Sequence, residues 1–187
     1  MLQAKILETN LKFGSLSRRK ETKKIVMHHT GSVKDMDASA EQIHKMHKSN
    51  GWAGIGYHFV IRKDGSIERG RPIWAIGSHA QGHNSDSVGI HLCGDFNAAK
   101  PTDKQIESAA MLIANLSADY DIPLDRQHII GHDECYNKAT DGSGCPDKNL
   151  QRQLDTISGK ANWYRYHTDA DVVDKKVCPT CGKPLDL

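Results

Sequence analysis

Apolar and polar positions along the chain predict an alternation of strands and helices. Short, mostly apolar runs bounded by polar residues or glycine are typical of buried strands. The tetrapeptide Lys63-Asp64-Gly65-Ser66 predicts a hairpin turn because Asp-Gly favours the backbone of a two-residue loop. The predicted strands cover residues 23–29, 57–62, 67–70, 87–92 and 128–131.

Two internal segments carry the apolar spacing of amphipathic helices. Residues 102–120 form the clearer helix, with Thr102 as the expected N-cap and Pro123 barring its continuation. Its predicted buried stripe is Ile106, Ala109, Ala110, Ile113 and Leu116 or Ser117. An earlier helix is expected over residues 37–49, with a stripe of Ala38, Ile43, Met46 and His47. A terminal helix is expected over residues 149–157. Together these elements predict an α/β protein.

Length and charge limit the classes of protein that fit. The 187 residues suffice for one domain with a substantial core, and the net charge of +2 is nearly balanced. The basic residues at positions 18–20 and 23–24 indicate a solvated surface, and nucleic-acid binding is not expected. The apolar runs are too short to span a bilayer, and residues 1–16 lack the apolar centre of a secretory signal. We therefore expect synthesis in the cytoplasm without a signal peptide, and no membrane insertion.

The five cysteines have no disulfide-framework spacing, and their odd number favours a reducing compartment with a thiol available for metal. Cys178 and Cys181 form a Cys-x-x-Cys knuckle that supplies half of a structural zinc site. His167, the main domain or a second chain could complete it, and a local disulfide or a disordered tail are alternatives. The protein is accordingly expected to be a monomer or a dimer joined through its tails.

Three separated segments contain residues suited to a catalytic zinc site. His28 and His29 end the first long strand, His132 follows the last predicted strand, and Cys145 lies in a Gly-Cys-Pro segment. Catalytic zinc takes three protein ligands and keeps one position open. Adjacent strand residues point to opposite faces, so only one of His28 and His29 is expected to bind the metal. A strand end with polar residues and a buried structural thiol is the alternative that the spacing leaves open.

Several motifs in fixed order resemble the zinc-dependent N-acetylmuramoyl-L-alanine amidases, a family that includes phage lysozyme-type amidases and peptidoglycan recognition proteins. The resemblance covers about residues 16–150. It implies a single α/β domain with a central mixed β-sheet flanked by helices, over residues 23–160, between an N-terminal extension (1–22) and a C-terminal tail (161–187). The motifs are Ile25-Val26-Met27-His28-His29-Thr30-Gly31, the segments 51–61 and 63–72, Ile76-Gly77-Ser78-His79-Ala80, Asn84-Ser85-Asp86-Ser87-Val88-Gly89-Ile90, Gly131-His132-Asp133-Glu134 and Cys145-Pro146.

The resemblance implies roles for individual residues. His28, His132 and Cys145 would bind Zn²⁺, and Tyr57 would lie beside the metal as a catalytic residue. His79 and Asn84 match positions that border the substrate groove, so both are predicted to contact substrate.

The loop before Cys145 departs from the family pattern. Related phage enzymes carry a lysine two residues before the ligand cysteine, and this chain has Ser143 there. Ser143 could donate a hydrogen bond to an oxyanion or orient a water, and Lys138 or Thr140 could reach inward from the same loop. Cys135, three residues after His132, is an alternative third ligand, although the Cys-Pro match favours Cys145.

The function implied by the resemblance is zinc-dependent hydrolysis of the amide bond between N-acetylmuramic acid and L-alanine in bacterial peptidoglycan. A phage or prophage endolysin, acting on the wall after release from the cytoplasm, fits these features, and the basic N-terminal residues would favour an anionic wall. The alternative is a peptidoglycan-binding module of the same fold without catalysis.

Overall fold

The computed structural model describes residues 2–31, 37–136 and 144–167. In these ranges six strands form one sheet in the order β1-β4-β3-β5-β2-β6. The strands are β1 (Ile6–Leu7), β2 (Lys24–His29), β3 (Phe59–Ile61), β4 (Ile67–Arg69), β5 (Ser87–Leu92) and β6 (Ile129–Gly131). The helices are α1 (Ala40–Ser49), α2 (Asp103–Tyr120), α3 (Asp147–Gln151) and α4 (Leu154–Tyr166), with a 3-10 helix over His132–Cys135.

The sheet is mixed. Strands β3, β5, β2 and β6 run parallel to one another, whereas β4 is antiparallel to β3 and parallel to β1. The predicted α/β fold with a central mixed sheet and flanking helices is confirmed. Because the parallel strands β5, β2 and β6 share one direction, their carboxyl ends meet at one edge of the sheet.

One face of the sheet carries the main core. Alternate residues of the two central strands, such as Met27 of β2 and Ile90 of β5, pack there against α2 and α4 and are fully buried. Helix α2 begins with a capping box in which Thr102 accepts from the Gln105 N–H and the Gln105 side chain accepts from the Thr102 N–H. Its predicted stripe is buried as expected.

The opposite face carries the remaining positions of the same strands. Val60 packs there against Ala40 and Ile43 of α1, and Val26 packs against Ala80 and Ile130. Two histidines of this face in the central strands, His28 of β2 and His91 of β5, are paired in register. Both imidazoles are almost fully buried.

The structure corrects three features of the pattern analysis. Met46 was expected in the buried stripe of α1 but is 51% exposed, because His44 turns inward in its place. The predicted helix over residues 149–157 is two helices, α3 and α4, and the second continues to Tyr166. Strand β1 was not predicted, since two residues are too few to show a period.

The first 22 residues contribute to the sheet and its edge. Ile6 and Leu7 pair with β4, and Arg18 forms an isolated bridge with Ala75. The prediction of a solvated basic cluster is wrong for Arg19, which is 8% exposed and donates to the carbonyls of Ile73, Ala75 and Ser87. The Arg19 guanidinium thus provides hydrogen-bond donors to these three main-chain carbonyls.

None of the helices in the described ranges is long and apolar enough to cross a membrane.

Buried neutral histidines should make the fold sensitive to acid. Burial lowers the pKa of His47 to about 4 and those of His58 and His91 to about 3. Below pH 6.5 these histidines bind protons in the unfolded chain but stay neutral in the folded chain. The free energy of unfolding is therefore at its full value above pH 6.5 and decreases as the pH falls toward the folded pKa values. At pH 5 each group should remove about 2 kcal/mol of unfolding free energy. Urea denaturation at pH 7, 6 and 5, at constant zinc, measures the loss.

A matched variant isolates one of these histidines. The Nδ1 atom of His47 accepts from the Gly56 N–H at 3.1 Å, and the side-chain oxygen of His47→Asn can take that role. We expect this variant to lose about 2 kcal/mol less between pH 7 and pH 5 than the native protein does. Identical pH slopes for the two proteins would contradict the argument.

Candidate metal centre

Two neighbouring parallel strands bring the histidines together. In the pairing of β2 with β6, Met27 lies opposite Gly131, so the residues that follow on the two segments are His28 and His132. Their ring centroids are 4.6 Å apart. The sheet register therefore creates this half of the site, at the carboxyl edge where ligands of parallel sheets commonly bind.

Cys145 is held beside this pair by main-chain hydrogen bonds. The Asp133 N–H donates to the Cys145 carbonyl at 2.7 Å, and the Cys145 N–H donates to Asp133 Oδ1 at 3.2 Å. Gly131 permits the approach, since a Cβ there would lie 2.6 Å from Pro146 Cδ, closer than real Cβ contacts. The segments bearing His132 and Cys145 thus act as one unit.

The donor set fits zinc. One nitrogen from each of His28 and His132 and the sulfur of Cys145 lie within 4.8 Å of one another, and His28 Nδ1 is 3.7 Å from Cys145 Sγ. Zinc bonds of about 2.0 Å to nitrogen and 2.3 Å to sulfur, at a tetrahedral angle, place the two donors about 3.6 Å apart. The side chains are therefore already spaced for a metal, with two imidazole nitrogens and one sulfur.

Burial sets the charges of this donor set. It lowers the pKa of His28 well below the ordinary value, with further lowering from His79 and His132, so His28 is neutral and its lone pair is free for metal. Burial raises the pKa of Cys145 to about 12, against the lowering effect of a hydrogen bond from the His29 N–H. A metal that binds here would displace the thiol proton.

Tyr57 lies against the metal centre. Its ring centroid is 5.0 Å from that of His28 and 4.7 Å from that of His91. Burial, followed by the nearby Cys145 sulfur, raises the pKa of Tyr57 far above its ordinary value. The phenol keeps its proton at every physiological pH and is available as a hydrogen-bond donor.

A cavity of about 250 Å³ opens beside Tyr57, between α1 and the carboxyl edge of the sheet. Its lining includes the polar side chains of His47 and His91 and the apolar side chains of Ile43 and Met46 of α1. A cleft of mixed polarity next to a metal site is where a substrate would be expected.

The sequence analysis did not assign His91 to the site. The signal was present, because Gly89 and His91 alternate with the apolar Val88, Ile90 and Leu92 along β5. Period-two alternation predicts that His91 shares a face with His28 only when the register of β5 and β2 is known. That register comes from the tertiary structure.

His29 points to the opposite face from His28, as the strand geometry predicts. Its Nε2 atom lies 3.4 Å from Asp147 Oδ2, and its Nδ1 accepts from the Phe96 N–H at 3.4 Å. Asp95 joins His29 and Asp147 in a second group of ligand atoms within 4.8 Å of one another. His29 reaches the first group only through its main-chain N–H.

The remaining predicted residues fall in different places. The Nδ1 atom of His79 lies 3.1 Å from His28 Nε2, and Asn84 Oδ1 accepts from the N–H groups of His79 and Ala80.

Cys135 packs against the small apolar cluster of Val26 and is not part of the donor group found among the described residues. Ser143, Lys138, Thr140, Cys178 and Cys181 lie outside the described residues. The roles predicted for Ser143, His79 and Asn84, and the second metal site, stay predictions.

Glu134 also has a defined partner. Its Oε2 accepts from the Gly131 N–H at 2.7 Å and from Arg126 Nη2 at 2.6 Å. The carboxylate therefore anchors the turn that begins at His132, and its pKa is lowered despite partial burial.

Comparison with known proteins agrees with this geometry. The family model described as N-acetylmuramoyl-L-alanine amidase matches residues 18–148. The chain belongs to this family. The matched range contains all three zinc-compatible donors and Tyr57.

Individual relatives extend the match. The endolysin of Klebsiella phage KP32 is 35% identical over 141 residues, which are 73% of this chain and 87% of the phage protein. Peptidoglycan-recognition protein SC2 of Drosophila melanogaster is 32% identical over 145 residues, which cover 74% of this chain and 73% of the insect protein. Among solved structures, the amidase LysC of Clostridium intestinale superposes with a TM-score of 0.72 at 38% identity, covering 84% of this chain and 97% of that one.

Removal of the thiol should abolish stoichiometric metal binding. In Cys145→Ala, two imidazoles remain, and we expect zinc content after dialysis to fall from about one ion per chain to near zero. The matched variant Cys135→Ala should keep its zinc. Zinc is measured by elemental analysis, with circular dichroism to confirm folding. Zinc lost from the Cys135 variant and kept by the Cys145 variant would move the third ligand to Cys135.

Proposed function

We propose that this protein is a zinc-dependent N-acetylmuramoyl-L-alanine amidase that acts on bacterial peptidoglycan, in the manner of a phage or prophage endolysin. The observation that carries the proposal is the donor group of His28, His132 and Cys145, drawn from three separate segments and spaced for zinc. Family membership and the phage endolysin relatives support the same reaction. The substrate bond would be the amide between N-acetylmuramic acid and L-alanine.

Three side chains would hold the metal at the edge of the cleft. When bound there, zinc supplies a Lewis acid that polarises a carbonyl and activates water at neutral pH. His28 is almost fully buried, and a buried setting strengthens electrostatic interactions because less water surrounds the charges. Tyr57 lies next to the donor group, with its ring centroid 5.0 Å from that of His28.

Tyr57 would stabilise the oxyanion that forms when water attacks the amide carbonyl. Its raised pKa keeps the phenol protonated, so it can donate a hydrogen bond without losing the proton in the ground state. The rings of His28 and His91 fix its position on two sides. A donor held in place before the reaction requires no reorganisation as charge develops.

The cleft beside Tyr57 would receive the muropeptide. Its volume of about 250 Å³ accommodates a short peptide portion, and the exposed Met46 and Trp52 lie at and near its rim. The ring of Trp52 packs on that of His47, one of the lining residues, at 4.6 Å. Apolar contact from these two side chains would favour aliphatic or sugar surfaces of the substrate.

Product analysis tests the reaction directly. Purified peptidoglycan incubated with the native, zinc-loaded protein should release peptides with a free L-alanine amine, identified by mass spectrometry. Chelation of zinc should stop the release, and added zinc should restore it. Wall binding without released peptides from the native protein would instead identify a recognition module of the same fold. Release of a different fragment would overturn the assignment of the bond.

The role of Tyr57 predicts a change in turnover rather than binding. Loss of one oxyanion donor in Tyr57→Phe should lower kcat by about 10²- to 10³-fold while KM stays near the native value. Tyr166→Phe is the matched control, since Tyr166 is 73% exposed at the end of α4. Kinetics on a soluble muropeptide give both constants. An unchanged kcat for the Tyr57 variant would remove Tyr57 from the mechanism.

A further inference from the structure

The imidazole of His79 occupies a space shaped by glycines. A Cβ on Gly89 would lie 2.5 Å from His79 Cγ, and one on Gly77 would lie 2.7 Å from His79 Nε2. Real Cβ atoms do not approach other atoms this closely, so both positions leave room for the ring. Asn84 fixes the main chain of His79 by accepting its N–H at 2.8 Å. The ring therefore lies close to the main chain at both glycines, and the backbone of His79 is fixed by Asn84.

A chain of hydrogen bonds runs from His28 through this ring. His28 Nε2 lies 3.1 Å from His79 Nδ1, and His79 Nε2 lies 3.5 Å from Ser87 Oγ. The Ser87 hydroxyl donates to the His83 carbonyl at 2.5 Å. An imidazole that binds zinc is neutral and carries one proton, so the partners of the two rings decide which nitrogen of each ring carries it.

The last member of the chain decides its direction. A carbonyl oxygen can only accept a hydrogen bond, so the Ser87 hydroxyl donates its single proton to the His83 carbonyl. The Ser87 oxygen can then only accept a hydrogen bond from His79. His79 must then carry its proton on Nε2 and accept at Nδ1. The proton of His28 therefore lies on Nε2, and the lone pair of its Nδ1 points toward Cys145 Sγ, 3.7 Å away. The opposite direction would put a proton on the nitrogen that faces the metal.

We propose that His79 and Ser87 are positioning residues that fix the tautomer and ring orientation of His28, so that its Nδ1 is presented to zinc. The inference rests on the proposed zinc site and assigns His79 a role different from the predicted substrate contact. Histidine ligands usually donate their second N–H to a carboxylate, a carbonyl or water. Here the partner is a neutral imidazole, which adds no negative charge behind a metal that already has one thiolate ligand.

Metal affinity tests the proposal without reference to activity. Zinc dissociation constants are measured on the full chain by competition with a chromogenic chelator. We expect His79→Leu to weaken zinc binding by 10- to 100-fold. Ser87→Ala removes only the end of the chain and should have an intermediate effect. The Co²⁺-substituted His79 variant should also show a shifted absorption spectrum, because the ring of His28 is no longer held.

Two further variants separate positioning from general stability. In His79→Asn the side-chain oxygen can accept in place of Nδ1, so we expect zinc affinity to recover most of the loss. His44→Leu removes a buried imidazole of α1 whose Nδ1 accepts from the Ile55 N–H, away from the donor group. Its zinc affinity should stay within about twofold of native, the scatter expected for a site it does not touch.

The outcomes distinguish this inference from the proposed function. A native protein that binds no zinc would refute the proposed zinc site itself. A native protein that binds zinc tightly, together with a folded His79→Leu variant of equal affinity and unchanged Co²⁺ spectrum, would overturn the positioning role and leave the zinc site intact. Equal losses in the His79 and His44 variants would likewise overturn it, because the effect would then reflect stability alone.

Discussion

The parallel pairing of β2 with β6 is the constraint on which the site depends. Met27 opposite Gly131 sets the register, and the residues that follow on the two segments, His28 and His132, are two of the three candidate zinc donors. A slip of one residue would turn His28 to the other face, where Met27 and Ile25 now pack in the main core. The apolar residues of the main core thus also fix the face of the sheet on which the His28 side chain lies. Core packing and site geometry are one requirement here.

The arrangement of the strands also creates a cluster of neutral imidazoles. His28, His91 and His79 lie on the face of the sheet that α1 incompletely covers, and burial keeps all three uncharged. Uncharged imidazoles offer lone pairs to a metal and to hydrogen-bond donors, which charged ones cannot. The same burial keeps the Tyr57 phenol protonated. A site built this way gains its chemistry at neutral pH and has little tolerance for acid.

The third donor reaches the site through loop hydrogen bonds rather than strand register. Cys145 is joined to Asp133 by one main-chain hydrogen bond and by one from its N–H to the Asp133 carboxylate, and Gly131 leaves the space that Pro146 fills. The positions of His28 and His132 are set by strand pairing and core packing. The position of Cys145 depends instead on hydrogen bonds between two connecting segments. The family match over residues 18–148 spans both parts.

The sequence by itself determined the strand that ends with His28 and His29, the short strand that leads into His132, the capped helix from Asp103 to Tyr120 and the separation of His29 from the donor group of His28. These follow from local period and from the alternation of side chains along a strand. Only the tertiary structure decided that Arg19 is buried, that His91 joins Tyr57, and that His79 lies behind His28. Each of those depends on strand register and on contacts between segments distant along the chain, and no local pattern contains that information.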